Sequence, residues 1–357
     1  MNVRPLLLAG LFALGVVPPV GAQGFAGLGE AVEDSFTNPE PNPDFDFPAD
    51  HGAHPDYRIE WWYLTANLTG PDGQEYGIQW TLFRSALAPT QTDDWDSPQI
   101  WMGHAGLTTQ DQHFVAETLA RDGIGQAGVS ADPFVAYIDD WEMRSTAAPG
   151  ADALSALELS ARGPAFSYAL ELTADGPLVF QGDRGFSVKS ESGQASYYYS
   201  QPFYEVSGML NLPGSPVQVT GSAWLDREWS SQPLDETQSG WDWFSLHLET
   251  GERVMGFRLR STDGADYTSG TWIAPDGAST PLPNGAFQIA PLEETQVNGR
   301  MVPTAWQVRI PDRGLDIRTR PLNAQSWMDT LFPYWEGPIR FDGTHSGRGY
   351  LEMTGYE

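Results

Sequence analysis

Ile59-Glu60-Trp61-Trp62-Tyr63-Leu64-Thr65-Ala66-Asn67-Leu68 alternates aromatic or apolar residues with small and polar ones. Pro71-Asp72-Gly73 then marks a turn, and residues 76–83 alternate again. A period of two on both sides of a Pro/Asp/Gly turn predicts a β-hairpin. The same texture continues at 103–109, 134–144, 154–160, 167–173, 197–210 and 217–226, with Gly, Pro or Asp between. Residues 152–157 alone suggest a turn or two of helix. Many short strands with turns every eight to twelve residues or so predict an all-β barrel or sandwich.

The last third repeats the opening. Trp243-Phe244 followed by Thr250-Gly251 aligns without a gap on Trp62-Tyr63 followed by Thr69-Gly70. A second strand ending in Arg-Ser follows each, at Arg84-Ser85 and at Arg260-Ser261. A shared opening hairpin predicts two related barrels. Their seam is expected near residues 226–240, and seams between domains favour ligands.

That region is Gly221-Ser-Ala-Trp-Leu-Asp-Arg-Glu-Trp229, followed by Gly240-Trp-Asp-Trp243. On a strand, Trp224, Asp226 and Glu228 share one face while Ala223, Leu225 and Arg227 share the other. Carboxylates beside indoles are costly to bury unless they are paired, hydrogen-bonded or functional.

Composition excludes several classes of function. Net charge is −28 and Lys189 is the only lysine, so nucleic acid and anionic lipid surfaces are repelled. Cysteine is absent, which removes thiol chemistry and disulfides. No phosphate loop, His-Glu-x-x-His or Gly-x-Ser-x-Gly occurs. Gly123-Ile-Gly-Gln-Ala-Gly128 fits a dinucleotide pattern but lacks the strand–helix unit around it, so it reads as a loop.

The chain opens with Arg4, an apolar run at 6–17 and Val20-Gly21-Ala22. The run is shorter than the roughly 20 residues that span a bilayer. It reads as a signal peptide over 1–22, cleaved after Ala22, for a periplasmic or secreted protein. Residues 23–55 read as an irregular arm. His51 and His54 there lack third and fourth partners at metal-ligand spacing, so no metal and no cofactor are expected.

Glu60-Trp61-Trp62-Tyr63, Trp224-Leu-Asp226-Arg-Glu228-Trp229, Gly240-Trp-Asp-Trp243 and Gly347-Arg-Gly-Tyr350-Leu-Glu352-Met-Thr-Gly355-Tyr356 together carry a resemblance. From about Tyr57 onward the chain resembles the lipocalin-like family of carotenoid 1,2-hydratases (hydroxyneurosporene synthases) and bacterial predicted secreted hydrolases. The resemblance implies two packed lipocalin-like (calycin) antiparallel β-barrels, here over 56–228 and 229–357. It also implies a lipophilic, isoprenoid or polyene-like ligand, and for many members an ABC-transporter partner. A monomer is expected.

Hydrating an alkene needs an acid still protonated near neutral pH, and burial against indole raises a carboxyl in that direction. Asp226, two residues after Trp224, matches the aromatic-x-Asp element the hydratases resemble at their acid. It is the expected proton donor, with Trp224, Tyr197 and Tyr199 as catalytic walls. Trp229, Glu228, Trp241, Trp243, His104, Trp62 and Tyr350 complete the expected ligand site. Where the hydratases resemble His-x-Trp, this chain has Tyr197-Tyr198-Tyr199. Glu60 is expected to pair with an arginine such as Arg348, His247 to sit at the interface, and Tyr350 and Glu352 to make a structural hydrogen bond. A carrier that hands a lipid to a transporter and a surface interaction module are the competing functions.

Overall fold

A computed structural model describes residues 36–356 except 93, 233, 235 and 236. The proposed signal peptide, 1–22, lies outside the described residues. So does the first part of the proposed arm.

The first sheet comprises β1 (Ile59–Thr69), β2 (Glu75–Ala86), β3 (Gln99–Thr108), β4 (His113–Arg121), β5 (Ala127–Ala131), β6 (Phe134–Ile138) and β7 (Trp141–Ser145). It continues with β8 (Ala156–Arg162), β9 (Ser167–Ala174), β10 (Val179–Phe180), β11 (Phe186–Val188), β12 (Ala195–Asn211) and β13 (Pro216–Ser230). Its main path runs β4-β3-β2-β1-β13-β12-β9-β8-β7-β6-β5, and it curls into a nearly closed barrel. The second sheet comprises β14 (Gln238–Leu248), β15 (Arg253–Ser261), β16 (Tyr267–Ile273), β17 (Ser279–Leu282) and β18 (Gln288–Val297). After these come β19 (Arg300–Ile310), β20 (Leu315–Pro321), β21 (Trp327–Met328), β22 (Tyr334–Gly343) and β23 (Gly347–Met353). Ordered β17-β16-β15-β14-β23-β22-β20-β19-β18, it forms a half-barrel. The chain is all-β with the lipocalin-like two-barrel architecture. The helical turn expected at 152–157 shrinks to a 3-10 turn, Ala153–Ser155, capped by the Asp152 carboxylate.

Alternation in β1 produces this arrangement. Trp62, Leu64, Ala66 and Leu68 enter the first barrel's core, while Tyr63 faces the other sheet. On β14, Phe244, Leu246 and Leu248 enter the second core and Trp243 faces the first sheet. The gapless alignment of Trp243 on Trp62 therefore fails, because those indoles point to opposite faces. The hairpins correspond after a displacement of one residue, and a one-residue slip inverts every face.

A separate apolar layer fills the seam between the sheets. Tyr63, Tyr198, Trp224, Trp243, Phe257 and Tyr350 belong to it. The sheets approach closely at Gly77, where a Cβ would lie 2.5 Å from Pro338 Cγ and 2.8 Å from the Tyr350 hydroxyl. At the rim, Glu75 bonds Arg340 and, at 3.0 Å, Arg348.

A buried ion cluster sits inside each sheet. Glu60 receives Arg84, Arg227 (2.7 Å) and the His54 backbone N–H (2.9 Å). Asp242 receives Arg258 (2.7 Å), Arg260 (2.6 Å) and the Tyr356 hydroxyl (2.9 Å). Glu60 thus pairs with Arg84 and Arg227 rather than Arg348. The register explains this, since Glu60 stands opposite Arg84 across β1 and β2.

Candidate functional site

The seam opens into a cleft of about 930 Å³, counting its open mouth. Aromatic side chains dominate its walls: Trp61, Tyr63, Tyr198, Trp241, Trp243 and Phe257. Among the lining residues the carboxyls are Asp226, Glu228 and Glu352, and the one cation is Lys189.

Strand β13 aims Trp224, Asp226 and Glu228 at the seam and sends Arg227 the other way. The Arg227 guanidinium lies 3.7 Å above the Trp62 ring inside the barrel and bonds Glu60 there. Asp226 is consequently left without an arginine. Its Oδ1 accepts from the Ser200 hydroxyl (2.5 Å) and the Trp224 indole N–H (2.6 Å), and Oδ2 accepts from the Tyr198 hydroxyl (2.5 Å). Burial pushes the carboxyl up to about 7, those donors pull against the rise, and the charge of Glu228 adds to it. Trp243 extends the network across the seam by donating to the Tyr198 oxygen at 3.2 Å. Two positions along, Glu228 is paired differently, accepting from Lys189 at 2.6 Å and from Ser196 at 2.5 Å.

The opposite wall supplies a second carboxyl. Glu352 on β23 accepts from the Trp241 indole at 2.5 Å. Burial pushes it up to about 7, the Trp241 bond opposes this, and the charges of Asp226 and Glu228 add to it. Trp224-Leu-Asp226 and Tyr350-Leu-Glu352 are the same aromatic-Leu-acid pattern on two strands that face one seam. That repetition is the sequence signal that could have found Glu352.

The tyrosine run is the main relocation. Register pairs Tyr198 with Glu228 and Ser200 with Asp226, so the even-numbered side chains face the acid. Tyr197 and Tyr199 lie on the barrel side with Trp229, in an aromatic cluster with Phe45. The Tyr199 hydroxyl bonds His51 at 2.7 Å, and the His54 ring stacks on Trp229 with centroids 4.0 Å apart. Trp62 is also inside the barrel. Trp224 and Tyr350 belong to the seam but do not line the cleft; Trp224 acts on Asp226 through its N–H. Buried His104 stands apart from the cleft and bonds Tyr334 (2.9 Å) and Glu117 (3.1 Å). His247 packs against Trp224, and burial drives it down to about 3. Among the described residues no group of three or more His, Cys, Asp or Glu is placed to hold a metal.

Such an open cleft can receive an apolar group and present a carboxyl raised by burial to it. Aromatic faces near that acid would attract positive charge by about 0.5–2 kcal/mol each.

Comparison with known proteins places this geometry in a family. A crystal structure of an AttH-like protein from Nitrosomonas europaea superimposes with a TM-score of 0.79 at 31% identity, covering 90% of this chain and 100% of that one. Kievitone hydratase from Nectria haematococca shares the fold with a TM-score of 0.66 at 16% identity, over 91% of this chain and 97% of that one. CghA bound to Sch210972 shares it more distantly, with a TM-score of 0.51 at 11% identity, covering 84% and 89%. No curated protein sequence matches the chain. The AttH-like family matches residues 38–356, and this chain belongs to that family.

Proposed function

We propose that the cleft binds a lipophilic, isoprenoid or polyene-like molecule and promotes acid-assisted hydration or isomerisation of it, with Asp226 as proton donor. One observation carries this reading: a fully buried aspartate, free of arginine and pushed up to about 7, opens on an aromatic cleft. In hydration the Asp226 O–H would protonate one alkene carbon. Water would bond the adjacent cationic carbon, and its surplus proton would pass to a carboxylate, leaving the acid to be reset. The faces of Trp241, Trp243 and Tyr63 would stabilise the cation. Fold-level likeness to kievitone hydratase agrees with this reaction class, and the carotenoid 1,2-hydratase subgroup remains the finer form of the proposal.

A specific observation favours the runner-up, a non-catalytic carrier serving an ABC transporter. Both oxygens of Asp226 already accept hydrogen bonds, an arrangement that favours the ionised form. On either reading the protein works as an exported monomer.

Native mass spectrometry of protein purified from its own host, with extraction of any bound lipid, separates the two. A polyene or isoprenoid converted by wild type but bound unchanged by Asp226→Asn supports the enzyme. A lipid that wild type never alters supports the carrier. Protein that carries no lipid, and whose tryptophan emission no polyene quenches, overturns both.

A further inference from the structure

Glu336 on β22 is 1% exposed, touches no arginine, and has no part in the reaction above. Its Oε1 accepts from the Tyr63 hydroxyl at 2.5 Å, and Tyr63 lines the cleft beside Glu352. Its Oε2 is buried with no hydrogen-bond partner, and the Tyr334 hydroxyl is the neighbouring polar group. Tyr334 in turn meets His104 Nδ1 at 2.9 Å, and His104 Nε2 meets Glu117 at 3.1 Å. The Glu117 side chain is 25% exposed, so the series ends at water.

The geometry points to a proton relay that runs Glu352, Tyr63, Glu336, Tyr334, His104, Glu117 and connects the cleft to solvent through the first barrel's β3 and β4. This inference rests on the proposed proton chemistry for its use, but not for its existence. Protonation states fit a line whose one unbonded step lies between Glu336 Oε2 and Tyr334. Burial, with the Glu352 charge beside it, holds the Glu336 carboxyl well above the usual carboxylate range. Burial also keeps Tyr63 and Tyr334 well above the ordinary tyrosine range, hence neutral. Burial lowers His104, against the pull of Glu117, hence a neutral imidazole. Hydrogen bonding to His104 and to the Leu331 N–H outweighs burial at Glu117 and lowers it, leaving a carboxylate acceptor.

One polarity suits the three hydrogen-bonded contacts and the approach of Glu336 to Tyr334. Tyr63 O–H donates to Glu336 Oε1, and a proton on Glu336 Oε2 would bridge to the neighbouring Tyr334 oxygen. Tyr334 O–H donates to His104 Nδ1, and His104 Nε2–H donates to Glu117. The line is thereby set to carry a proton outward. As Glu352 hands its proton to the Tyr63 oxygen, each member releases the one it holds, and Glu117 gains one proton. No heavy-atom bond changes, and once Glu117 has released its proton to water, rotation of the two hydroxyls and turnover of the Glu336 carboxyl and the His104 ring restore the starting polarity. Asp226, Glu228, Lys189 and Tyr198 line the cleft around its inner end, and Tyr350 and Tyr168 stand near Glu336. In the proposed hydration Glu352 would take the proton released by the attacking water and the relay would discharge it, while the Asp226 carboxylate would regain a proton from solvent at the open cleft mouth.

The test needs no substrate. The carboxylic C=O bands of Glu336 and Glu352 are assigned in the infrared with Glu336→Gln and Glu352→Gln, and their exchange is timed after transfer from H2O to D2O. The relay predicts that His104→Phe slows exchange at Glu336 about tenfold or more. Glu117→Gln, a milder change at a partly exposed site, slows it in the same direction. Loosening of the fold would accelerate exchange, so damage and relay loss read in opposite senses. Exchange as fast as wild type in both variants overturns the relay, whatever the outcome for turnover at Asp226. A protein without turnover whose exchange still slows would keep the relay and sink the hydration instead.

Discussion

Glu60 and Glu336 are buried alike, at 0% and 1% exposure, yet their carboxyls are driven in opposite directions. Burial would raise both. At Glu60 the charges of Arg84 and Arg227, then His54, outweigh it and take the carboxyl well below its ordinary range. At Glu336, as at Asp226 and Glu352, the donors are neutral hydroxyls and indoles, and burial wins. Arginine placement therefore divides the molecule into an ionic barrel interior and a seam in which Asp226, Glu336 and Glu352 meet no arginine. The alternation of one strand accomplishes this, since Arg227 and Asp226 are neighbours in sequence on opposite faces of β13.

The largest expected effect comes from breaking the ionic side. Arg227→Met leaves Glu60 with Arg84 as its one arginine beside the His54 contacts and strips the cation from Trp62, and should cost about 3–5 kcal/mol. Urea unfolding at neutral pH measures it, and a loss below about 1 kcal/mol would deny Arg227 this role. The pH dependence of stability comes next, because the two regions have opposite slopes. Asp226 and Glu352 have raised folded values, so their protons are held more tightly in the native state. Stability from them is present below the ordinary carboxyl range and is lost as pH rises towards about 7. Glu60 is depressed, so its contribution is present above that range and is lost as pH falls below it. Asp226→Asn should therefore stabilise the protein by about 2–4 kcal/mol near pH 8 and by little near pH 4. Equal effects at both pH values would place the wild-type carboxyl in the ordinary range.

A smaller effect tests Lys189, the one cation among the residues that line the cleft. Lys189→Met leaves buried Glu228 with the Ser196 bond and should cost about 1–3 kcal/mol in denaturant unfolding. The smallest change sharpens the comparison most. Ser200→Ala removes one neutral donor from Asp226 and should raise its midpoint by about one unit, read by carboxyl ¹³C NMR. A fall would mean that a nearby cation, not burial, governs the site.

Much of this was legible in the sequence, and the limit was register. Period-two alternation disclosed the strands and placed Asp226 with Trp224 and away from Arg227. It could not say which face of Tyr197-Tyr198-Tyr199 meets β13, because that depends on pairing Tyr198 with Glu228 across strands. One residue of uncertainty moved the tyrosine wall from the seam to the barrel. The same parity limit misaligned Trp243 with Trp62. Glu352 was readable as a second aromatic-Leu-acid unit. Glu336 was not, because its place opposite Glu352 arises only when β22 pairs with β23.

The most direct measurement is a ¹³C NMR titration of the side-chain carboxyls, with Asp226 and Glu352 assigned by substitution to Asn and Gln. The account predicts midpoints of about 7 for both, with Glu60 ionised throughout the same range. Midpoints for Asp226 and Glu352 at the ordinary values of about 4 would leave no acid in the cleft at neutral pH and contradict it.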